Sequence, residues 1–489
     1  MKNIPVQKNK EYIVNIIDNG FEGEGIAKIE DYTIFIPGAI KGEKIKILIV
    51  KVQASYAFGK IMDIIEKSEH RIEPDCATYK RCGGCNLRHV DYEETLNIKQ
   101  NAVQSLVNKT LKNPIEVKKT VAMGNPYNYR NKLQFPVGID KNGNPIIGVF
   151  ANRTHEIIPI QGCAIQDIES IQIAKYVVDA IKKYNLSAYN ENTGKGLMRH
   201  VIVKAAKSTG EYMVIFVVNG NKLPYSQEIA ESLVSDCSSI TSVIVNINTK
   251  NTNVILGDKN ITVYGKDYII DKLGDYYFKI SPLSFYQVNP VQAEALYNYA
   301  IEAAEITKND VVFDLYCGIG TISIFMAKFA KEVYGVEIVE QAIDMAKENA
   351  KENKIDNTHF IAGDTEVVLT DLIEKKHIKP DVIIVDPPRK GLDKTSINNI
   401  LKVKPRRVVY ISCNPASLVR DLRMLEEEYE IKVIQPFDLF CFTFRQQGIQ
   451  RNEQVTPGGV EEGVCSSGRR PEVRNTLSGC IKEMIIYEL

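Results

Sequence analysis

The sequence lacks any long hydrophobic run, since its longest apolar stretches have the length of a single β-strand. A helix that crosses a membrane needs about 20 apolar residues. The start, "MKNIPVQKNKEYIVNI", also has no apolar core of the kind that a signal peptide carries. We therefore expect a cytoplasmic protein that does not contact membranes.

The sequence has no excess of charge of either sign, because 61 lysines and arginines face 61 aspartates and glutamates. Bulk charge therefore does not indicate a nucleic-acid partner, and any affinity for RNA must come from local basic patches. The chain does contain ten cysteines. Without a secretion signal, clustered cysteines indicate metal binding or a nucleophile rather than a disulfide framework.

At 489 residues the chain is long enough for two or three domains. Its first part contains five short apolar segments broken by glycines, which suit an OB-type barrel or another small β module. Strand-like segments continue through the middle, after one amphipathic helical stretch, "DYEETLNIKQNAVQSLVNKTLK". Strands and helices then alternate, which predicts an α/β domain with a parallel sheet covered on both faces. The expected divisions are 1–68, 69–270, 271–444 and an atypical, polar tail at 445–489.

A nucleotide-type site is predicted at the carboxyl edge of this parallel sheet. The strand "VVFDLY" is followed by "CGIGT", whose glycines allow close approach of a ligand to a helix N-terminus. Glu337 ends the next strand nineteen residues after Gly318, where a carboxylate can accept both ribose hydroxyls. Asp364 ends the third strand. Because there is no third glycine at dinucleotide spacing and no Walker lysine, S-adenosylmethionine fits better than NAD or ATP.

A candidate nucleophile, Cys413, ends the fifth strand in "YISCNPASLVRD", just before a helix whose N-terminus favours a thiolate. A thiolate beside a methyl donor suits methylation of uracil at carbon 5. Its addition to carbon 6 creates an enolate that can attack the methyl group, after which a base removes the proton from carbon 5. Methylation of adenine nitrogen is disfavoured, because Arg389 stands where those enzymes carry an aromatic residue after Pro388.

Three closely spaced cysteines, Cys76, Cys82 and Cys85, form a candidate metal motif in "PDCATYKRCGGCNL". Cys163 in "IQGCAI" is the best candidate for a fourth ligand. The spacing favours a [4Fe-4S] cluster over zinc, because zinc sites more often have paired two-residue spacings. Either metal site is favoured over thiols that bind no metal.

These motifs together resemble the RNA (uracil-5-)-methyltransferase family, in particular its iron–sulfur 23S ribosomal RNA type. The resemblance covers nearly all of residues 5–444. It rests on a TRAM-type barrel segment, "GEGIAKIEDYTIFIPGAIKGE", on the cysteine motif, and on ordered segments further along the chain. Those segments are "YRNKLQFPVG", "GLMRHVIVK", "VIVNINTKNTNVILG", "SPLSFYQVN", "DLYCGIGT", "DPPRKG" and "SCNPASL".

The resemblance implies a fold, site residues and partners. The fold is a Rossmann-like S-adenosylmethionine methyltransferase domain with an N-terminal OB-like TRAM barrel and a central β-rich iron–sulfur domain. S-adenosylmethionine would be bound by Gln287, Tyr316, Glu337 and Asp386, with Cys413 as nucleophile. The cluster ligands would be Cys76, Cys82, Cys85 and Cys163. RNA would meet Phe285, which stacks on bases, and the basic residues Arg130, Lys132, Arg199 and His200.

The resemblance fails after "PFDLF", where the family carries Pro-x-Thr-x-His-Val-Glu and then a terminal strand. That glutamate is the base for carbon 5. Here Cys441, Arg445 and Gln447 stand at the proline, histidine and glutamate. Either the native end has been replaced, so that both base and last strand are lost, or sequence has been inserted and "CIKEMIIYEL" supplies the strand with Glu483 near the base position. The first is favoured because the match at Glu483 is short.

The sequence therefore predicts a monomeric enzyme that methylates uridine carbon 5 in RNA, with 23S ribosomal RNA favoured over transfer RNA. If the base is missing, the chain would instead be an RNA-binding protein without turnover. An NAD-dependent enzyme on the same sheet would leave the cysteine motifs unexplained.

Overall fold

A computed structural model describes residues 4–151, 154–252 and 254–444, together with the backbone of 482–488. Gln447 and the rest of the polar tail up to residue 481 lie outside the described residues.

The N-terminal part is a sheet of short strands. Their bounds are β1 (Glu11–Asn15), β2 (Asp18–Asn19), β3 (Gly25–Ile29), β4 (Tyr32–Ile36), β5 (Lys44–Val52) and β6 (Tyr56–Glu66). The order is β1-β5-β6-β4-β3-β2, in which β4 and β6 are parallel and the other neighbours antiparallel. Apolar residues alternate with polar ones, so one set of side chains fills a shared core. The five strands expected from the sequence are confirmed, with β2 as a short addition.

One long helix follows the cysteine-rich stretch, as the sequence predicts. This helix, α1 (Tyr92–Thr110), begins at Asp91, whose carboxylate accepts a hydrogen bond from the Glu94 backbone amide. Its apolar face is buried in the same core as the C-terminal parallel sheet. The helix therefore ties the cysteine-rich stretch to the C-terminal part of the molecule.

The middle of the chain forms a second sheet covered by helices. Its elements are β7 (Lys132–Ile139), β8 (Pro145–Phe150), β9 (Ile157–Pro159), α2 (Ile168–Lys183), β10 (Met198–Ala206), β11 (Glu211–Val218), α3 (Ser226–Asp236), β12 (Ile240–Ile247) and β13 (Lys259–Gly265). The strand order is β13-β12-β11-β10-β7-β8-β9. Strands β10 and β11 are buried on both faces, with α2 and α3 packed on one side. A separate hairpin follows, formed by β14 (Ile269–Leu273) and β15 (Tyr276–Ile280).

The C-terminal part is the parallel α/β sheet that the alternating pattern predicts. Its elements are α4 (Pro290–Ala304), β16 (Val311–Leu315), α5 (Thr321–Ala327), β17 (Glu332–Glu337), α6 (Glu340–Glu352), β18 (Thr358–Ala362), α7 (Thr365–Thr370), a π-helical turn (Asp371–Lys375), β19 (Val382–Val385), α8 (Lys394–Val403), β20 (Arg407–Ser412), α9 (Pro415–Leu425) and β21 (Glu430–Phe437). The strand order reverses between β16 and β19, so a crevice opens at their carboxyl ends.

The sheet also contains a last strand from the end of the chain, β22 (Lys482–Glu488). It lies between β20 and β21 and is antiparallel to both. The favoured expectation that the terminal strand is lost is therefore wrong. The backbone of this segment can pair along two neighbouring strands, even though the preceding residues depart from the family pattern.

Candidate active site

The loop after β16 is shaped to admit a ligand. Tyr316 has φ of 69°, and Gly318 and Gly320 have φ of 54° and 80°. A Cβ built on Gly318 would meet no heavy atom within 4 Å, whereas one on Gly320 would lie 2.9 Å from the Phe360 ring. Gly320 is thus required by packing, while Gly318 keeps open space above the N-terminus of α5. The open space at Gly318 leaves the backbone of this loop accessible to a ligand.

Glu337 is fixed beside this loop, at the end of β17. Its Oε2 accepts a hydrogen bond from the Gly318 backbone amide at 3.2 Å, and its Oε1 accepts one from Val339 at 3.0 Å. A carboxylate oxygen has further lone pairs, so Glu337 can still accept ribose hydroxyls. Asp364 has a different local role, because its side chain caps α7 by accepting from the Glu366 amide at 2.9 Å.

A second acid, Asp314, is buried beneath the site and was missed by the sequence reasoning. Its Oδ2 accepts from the Ser323 hydroxyl at 2.5 Å, while its Oδ1 has no hydrogen-bond partner among the described residues. Burial is the main cause that raises the pKa of Asp314 to about 7, and the nearby Asp386 carboxylate adds to it. Asp386 itself directly follows β19, at the edge where the strand order reverses.

Gln287 lies in the loop before α4, and its backbone is positioned by Asn131. The Asn131 side-chain amide donates to the Gln287 carbonyl at 2.9 Å, and its backbone amide donates to Val288 at the same distance. Asn131 is only 3% exposed. The motif "YRNKLQFP" therefore holds the loop before α4 from the neighbouring sheet.

Cys413 lies at the active edge of the sheet, in the turn between β20 and α9, and is partly exposed. The turn is rigid: the Ser412 hydroxyl accepts from the Asn414 backbone amide at 3.1 Å, and the Asn414 side-chain amide donates to the Arg389 carbonyl at 2.9 Å. Asn414 also caps α9, since its side-chain oxygen accepts from Ala416 at 3.1 Å. These hydrogen bonds link the "SCNP" and "DPPR" segments at the carboxyl edge of the sheet.

A cavity next to Gln287 contains several of the residues expected to bind RNA. Arg130, Lys132, Lys204 and Phe285 line it. Phe285 is 57% exposed. Arg130 is 2% exposed, yet its Nε and Nη1 have no hydrogen-bond acceptor among the described residues. A buried guanidinium with unsatisfied donors is costly unless a ligand supplies the acceptors.

Lys204 is buried and holds the turn that carries Phe285. Its ammonium donates to the backbone carbonyls of Ser281 and Ser284 at 2.8 and 2.9 Å. The two serines also bond to each other, with their hydroxyl oxygens 2.8 Å apart. In the sequence, Lys204 looks like an ordinary polar residue of a strand. Its role in holding the turn is therefore evident only from the tertiary contacts.

Two of the predicted RNA contacts have other roles. Arg199 is 5% exposed and donates to the carbonyls of Asn248 and Lys250 at 2.9 and 2.7 Å. His200 is buried, and this burial lowers its pKa to about 3. The expectation that both form surface contacts with RNA is therefore wrong. The segment "GLMRHVIVK" forms part of β10, whose side chains are buried on both faces of the sheet. The sequence pattern did not indicate this burial.

The four predicted cluster cysteines, from two separate segments, line one small cavity. The Gly84 amide donates to the Cys82 sulfur at 3.4 Å, and burial raises the pKa of the Cys82, Cys85 and Cys163 thiols. Among the described residues, however, no group of His, Cys, Asp or Glu side chains is arranged to hold a metal ion. The thiols share a cavity without forming a ligand set, so an iron–sulfur cluster is not shown.

Models of two families match the chain. The TRAM domain model matches residues 5–62, which confirms the TRAM-type barrel, and the tRNA (Uracil-5-)-methyltransferase model matches residues 222–449. An S-adenosyl-L-homocysteine complex of the Pyrococcus abyssi tRNA (uracil-54, C5)-methyltransferase shares the fold, with a TM-score of 0.72. The identity is 24%, over 97% of this chain and 99% of that one. The fold is thus that of methyltransferases that depend on S-adenosylmethionine.

Full-length relatives identify the family more closely. An uncharacterized RNA methyltransferase of Clostridium tetani is 46% identical over 92% of this chain and 97% of its own. Another from Staphylococcus aureus is 44% identical over 89% of this chain and 96% of its own. The chain belongs to the TRAM-containing RNA uracil-5-methyltransferase family. In the part of the chain that the structure describes, no helix has the length and apolar character needed to cross a membrane.

Proposed function

We propose that this chain methylates carbon 5 of a uridine in RNA through a covalent bond between Cys413 and carbon 6. The observation that carries the proposal is a partly exposed thiol at the same sheet edge as the glycine-rich loop and Glu337. S-adenosylmethionine, when bound, supplies the electrophilic methyl group. Gln287, Tyr316, Glu337 and Asp386 are the residues proposed to hold it.

The uridine is proposed to enter beside Phe285. An exposed aromatic ring can stack on an extruded base, which offsets part of the cost of unstacking it. The unsatisfied donors of Arg130 line the same cavity. They suit an anionic oxygen of that nucleotide, either a phosphate or the oxygen that gains charge when the thiolate adds to the ring.

Glu483 is the proposed base that removes the proton from carbon 5. Its backbone pairs with Ser412, one residue before Cys413, because β22 lies beside β20. This register brings the backbone of position 483 close to Cys413. The interpretation in which sequence has been inserted before the terminal strand requires this proximity. Gln447, the residue at the expected base position in the other reading, lies outside the described residues.

The proposed cofactor of the cysteine cavity is a [4Fe-4S] cluster held by Cys76, Cys82, Cys85 and Cys163. Cysteine is the usual ligand residue of iron–sulfur clusters, and all four of these cysteines line one cavity. Cys85 and Cys163 also pack against the hydrophobic cluster that contains Cys441 and Phe442, which follow β21. We propose a structural role, in which the cluster supports this junction between the middle and C-terminal parts.

The preferred substrate is proposed to be 23S ribosomal RNA, on the resemblance of the cysteine motif to that branch of the family. The alternative is transfer RNA, which the matching family model and the Pyrococcus enzyme both have in their names. Competition between unmethylated 23S and transfer RNA transcripts for label from methyl-labelled donor decides between them. Preferential labelling of transfer RNA would reverse the assignment. The proposed location is the cytoplasm. The proposed domains keep the divisions 1–68, 69–270 and 271–444, but β22, expected within the tail 445–489, is assigned to the last of these domains because it pairs with β20 and β21.

The chemistry is tested on a denaturing gel with methyl-labelled S-adenosylmethionine and unmethylated transcript. We expect the unmodified protein to release labelled RNA and Cys413→Ala to transfer none. Glu483→Gln should leave label in a protein–RNA adduct, because the proton on carbon 5 is not removed. Glu488→Gln, at the far end of β22 opposite Arg407, is the matched control and should release product. Release of labelled RNA by Glu483→Gln at the normal rate would exclude Glu483 as the base.

A further inference from the structure

Asp421 on α9 is a buried acid that the chemistry proposed above does not use. Its side chain is 0% exposed. Its Oδ2 accepts hydrogen bonds from the Leu392 backbone amide at 2.8 Å and from the Tyr410 hydroxyl at 2.7 Å, and its Oδ1 accepts one from the Arg420 guanidinium at 2.6 Å. Hydrogen bonds to an ionised acceptor are stronger than those between neutral groups, so this carboxylate holds its partners firmly.

These partners come from both sides of the proposed nucleophile and from the loop beside it. Tyr410 lies on β20, three residues before Cys413, and α9 begins two residues after Cys413. Leu392 ends the segment "DPPRKGL", which follows β19 and begins with Asp386. Asp421 therefore joins the strand and the helix that flank the thiol to the loop that follows the neighbouring strand.

Further contacts close this loop onto α9. The Arg420 guanidinium also donates to the Lys390 carbonyl at 2.7 Å, and the Gly391 amide donates to the Pro388 carbonyl at 2.8 Å. Gly391 has φ of 78°, and a Cβ built on it would collide with Oδ2 of Asp421. The glycine is thus required both by the turn and by the close approach of the loop to the carboxylate.

We propose that Asp421 is a positioning residue for methyl transfer, which fixes the segment 386–392 relative to Cys413. The inference rests on the proposed function for the roles of Cys413 and Asp386. In that chemistry the thiolate must reach carbon 6 while carbon 5 faces the methyl group of the donor, so residues from two neighbouring strands must keep one mutual geometry. A misplacement of about 1 Å can lower a rate by about 100-fold.

The test measures methyl transfer in a single turnover, with the full chain and with RNA and S-adenosylmethionine at saturating concentrations. Asp421→Ala removes the acceptor for all three donors and should lower the rate about 100-fold. Asp421→Asn keeps an oxygen with two lone pairs for Leu392 and Tyr410, and should restore the rate to within about fivefold of the unmodified protein. If Asp421→Asn is as slow as Asp421→Ala, the acid acts through its charge and the positioning role is wrong.

The reactivity of Cys413 separates positioning from damage to the nucleophile. Alkylation by iodoacetamide, followed at Cys413 by mass spectrometry over a range of pH, requires the thiolate but no alignment with the loop. In Asp421→Ala the rate of alkylation and its pH profile should equal those of the unmodified protein, although methyl transfer is slow. A shifted pH profile would show that Asp421 acts on the thiol itself, contrary to the proposal.

Asp167 provides a matched control in the middle part of the chain. Its carboxylate accepts from the Ser170 amide at 2.9 Å and from the Tyr212 hydroxyl at 3.0 Å, and it lies 3.5 Å from the Lys207 ammonium. Asp167→Ala therefore removes the same kinds of bond from another place and should leave methyl transfer unchanged. Equal losses of rate in Asp167→Ala and Asp421→Ala would indicate a general loss of stability and refute a specific role.

Arg420 keeps the proposal testable if Asp421→Ala does not fold. The Arg420 side chain is 54% exposed, so Arg420→Ala should fold. Loss of its bond to the Lys390 carbonyl should lower the rate about tenfold. An unchanged rate in Arg420→Ala would overturn the positioning role and leave the proposed function intact, whereas absence of methylated uridine with the unmodified protein would refute the proposed function itself.

Discussion

A buried ion pair fixes the segment that follows β21, and its removal should have a large effect. Lys99 on α1 and Asp438 are 1% and 0% exposed at their side chains. Lys99 also donates to the Phe440 carbonyl at 2.8 Å, and Asp438 accepts from the Tyr92 hydroxyl at 2.7 Å. Lys99→Met keeps the length of the side chain but leaves the Asp438 charge buried with one hydrogen bond.

The magnitude follows from this burial. Removing one partner of a buried pair costs about 3–5 kcal/mol, because the remaining charge is uncompensated. Lys99→Met/Asp438→Asn removes both charges and keeps an acceptor for Tyr92, so the double variant should recover much of the loss. Lys46→Met removes an exposed pair with Glu11 and should change stability little, because solvent screens that pair.

Hydrogen exchange of the backbone amides of 438–444 and urea unfolding measure the effect. In Lys99→Met, exchange in this segment should accelerate by roughly two to four powers of ten, in line with the expected free energy. The double variant should exchange more slowly than Lys99→Met. If the losses of Lys99→Met and Asp438→Asn simply add in the double variant, the two residues do not interact and the reasoning is wrong.

Three further predictions concern other parts of the molecule. The pKa of Asp314 is raised from 3.8 to about 7 in the folded protein, so its ionisation costs more there than in the unfolded chain. The free energy of unfolding should therefore fall by roughly 4 kcal/mol between about pH 4 and 7. In Asp314→Asn, urea titrations at several pH values should show that this dependence of the unfolding free energy on pH is lost. Lys204→Met should release the Ser281–Ser284 turn and weaken RNA binding about tenfold through Phe285, with unchanged affinity for S-adenosylhomocysteine by calorimetry; equal loss of both affinities would contradict a role limited to that turn. Cys85→Ser should lose the iron content and visible absorbance of anaerobically reconstituted protein, whereas Cys237→Ser, which lies outside the cysteine cavity, should retain both.

The sequence predicted the elements well where one pattern dominates. Strands β19 and β20 are mostly apolar segments that end beside polar residues, so both their existence and the position of Cys413 at a strand end could be inferred. Lys204, Asn131 and Asp421 could not, because each acts through a contact with a residue far away in sequence. Asp421, for example, accepts from Leu392 and from the Tyr410 hydroxyl, at 2.8 and 2.7 Å. Nothing in the local pattern marks such partners.

The errors at Arg199 and His200 have a common physical origin. A basic residue in a strand was expected to face solvent, but β10 is buried on both faces. In these surroundings Nη1 and Nη2 of Arg199 donate to backbone carbonyls, while its Nε has no acceptor among the described residues, and burial keeps His200 neutral, as its lowered pKa indicates. Arg199, which makes several backbone contacts, therefore supports the fold, while Arg130, whose Nε and Nη1 both lack an acceptor among the described residues and which lines the cavity beside Phe285, remains a candidate for contact with RNA. On a chain with no net charge, the cations to test for RNA binding are those without a protein partner.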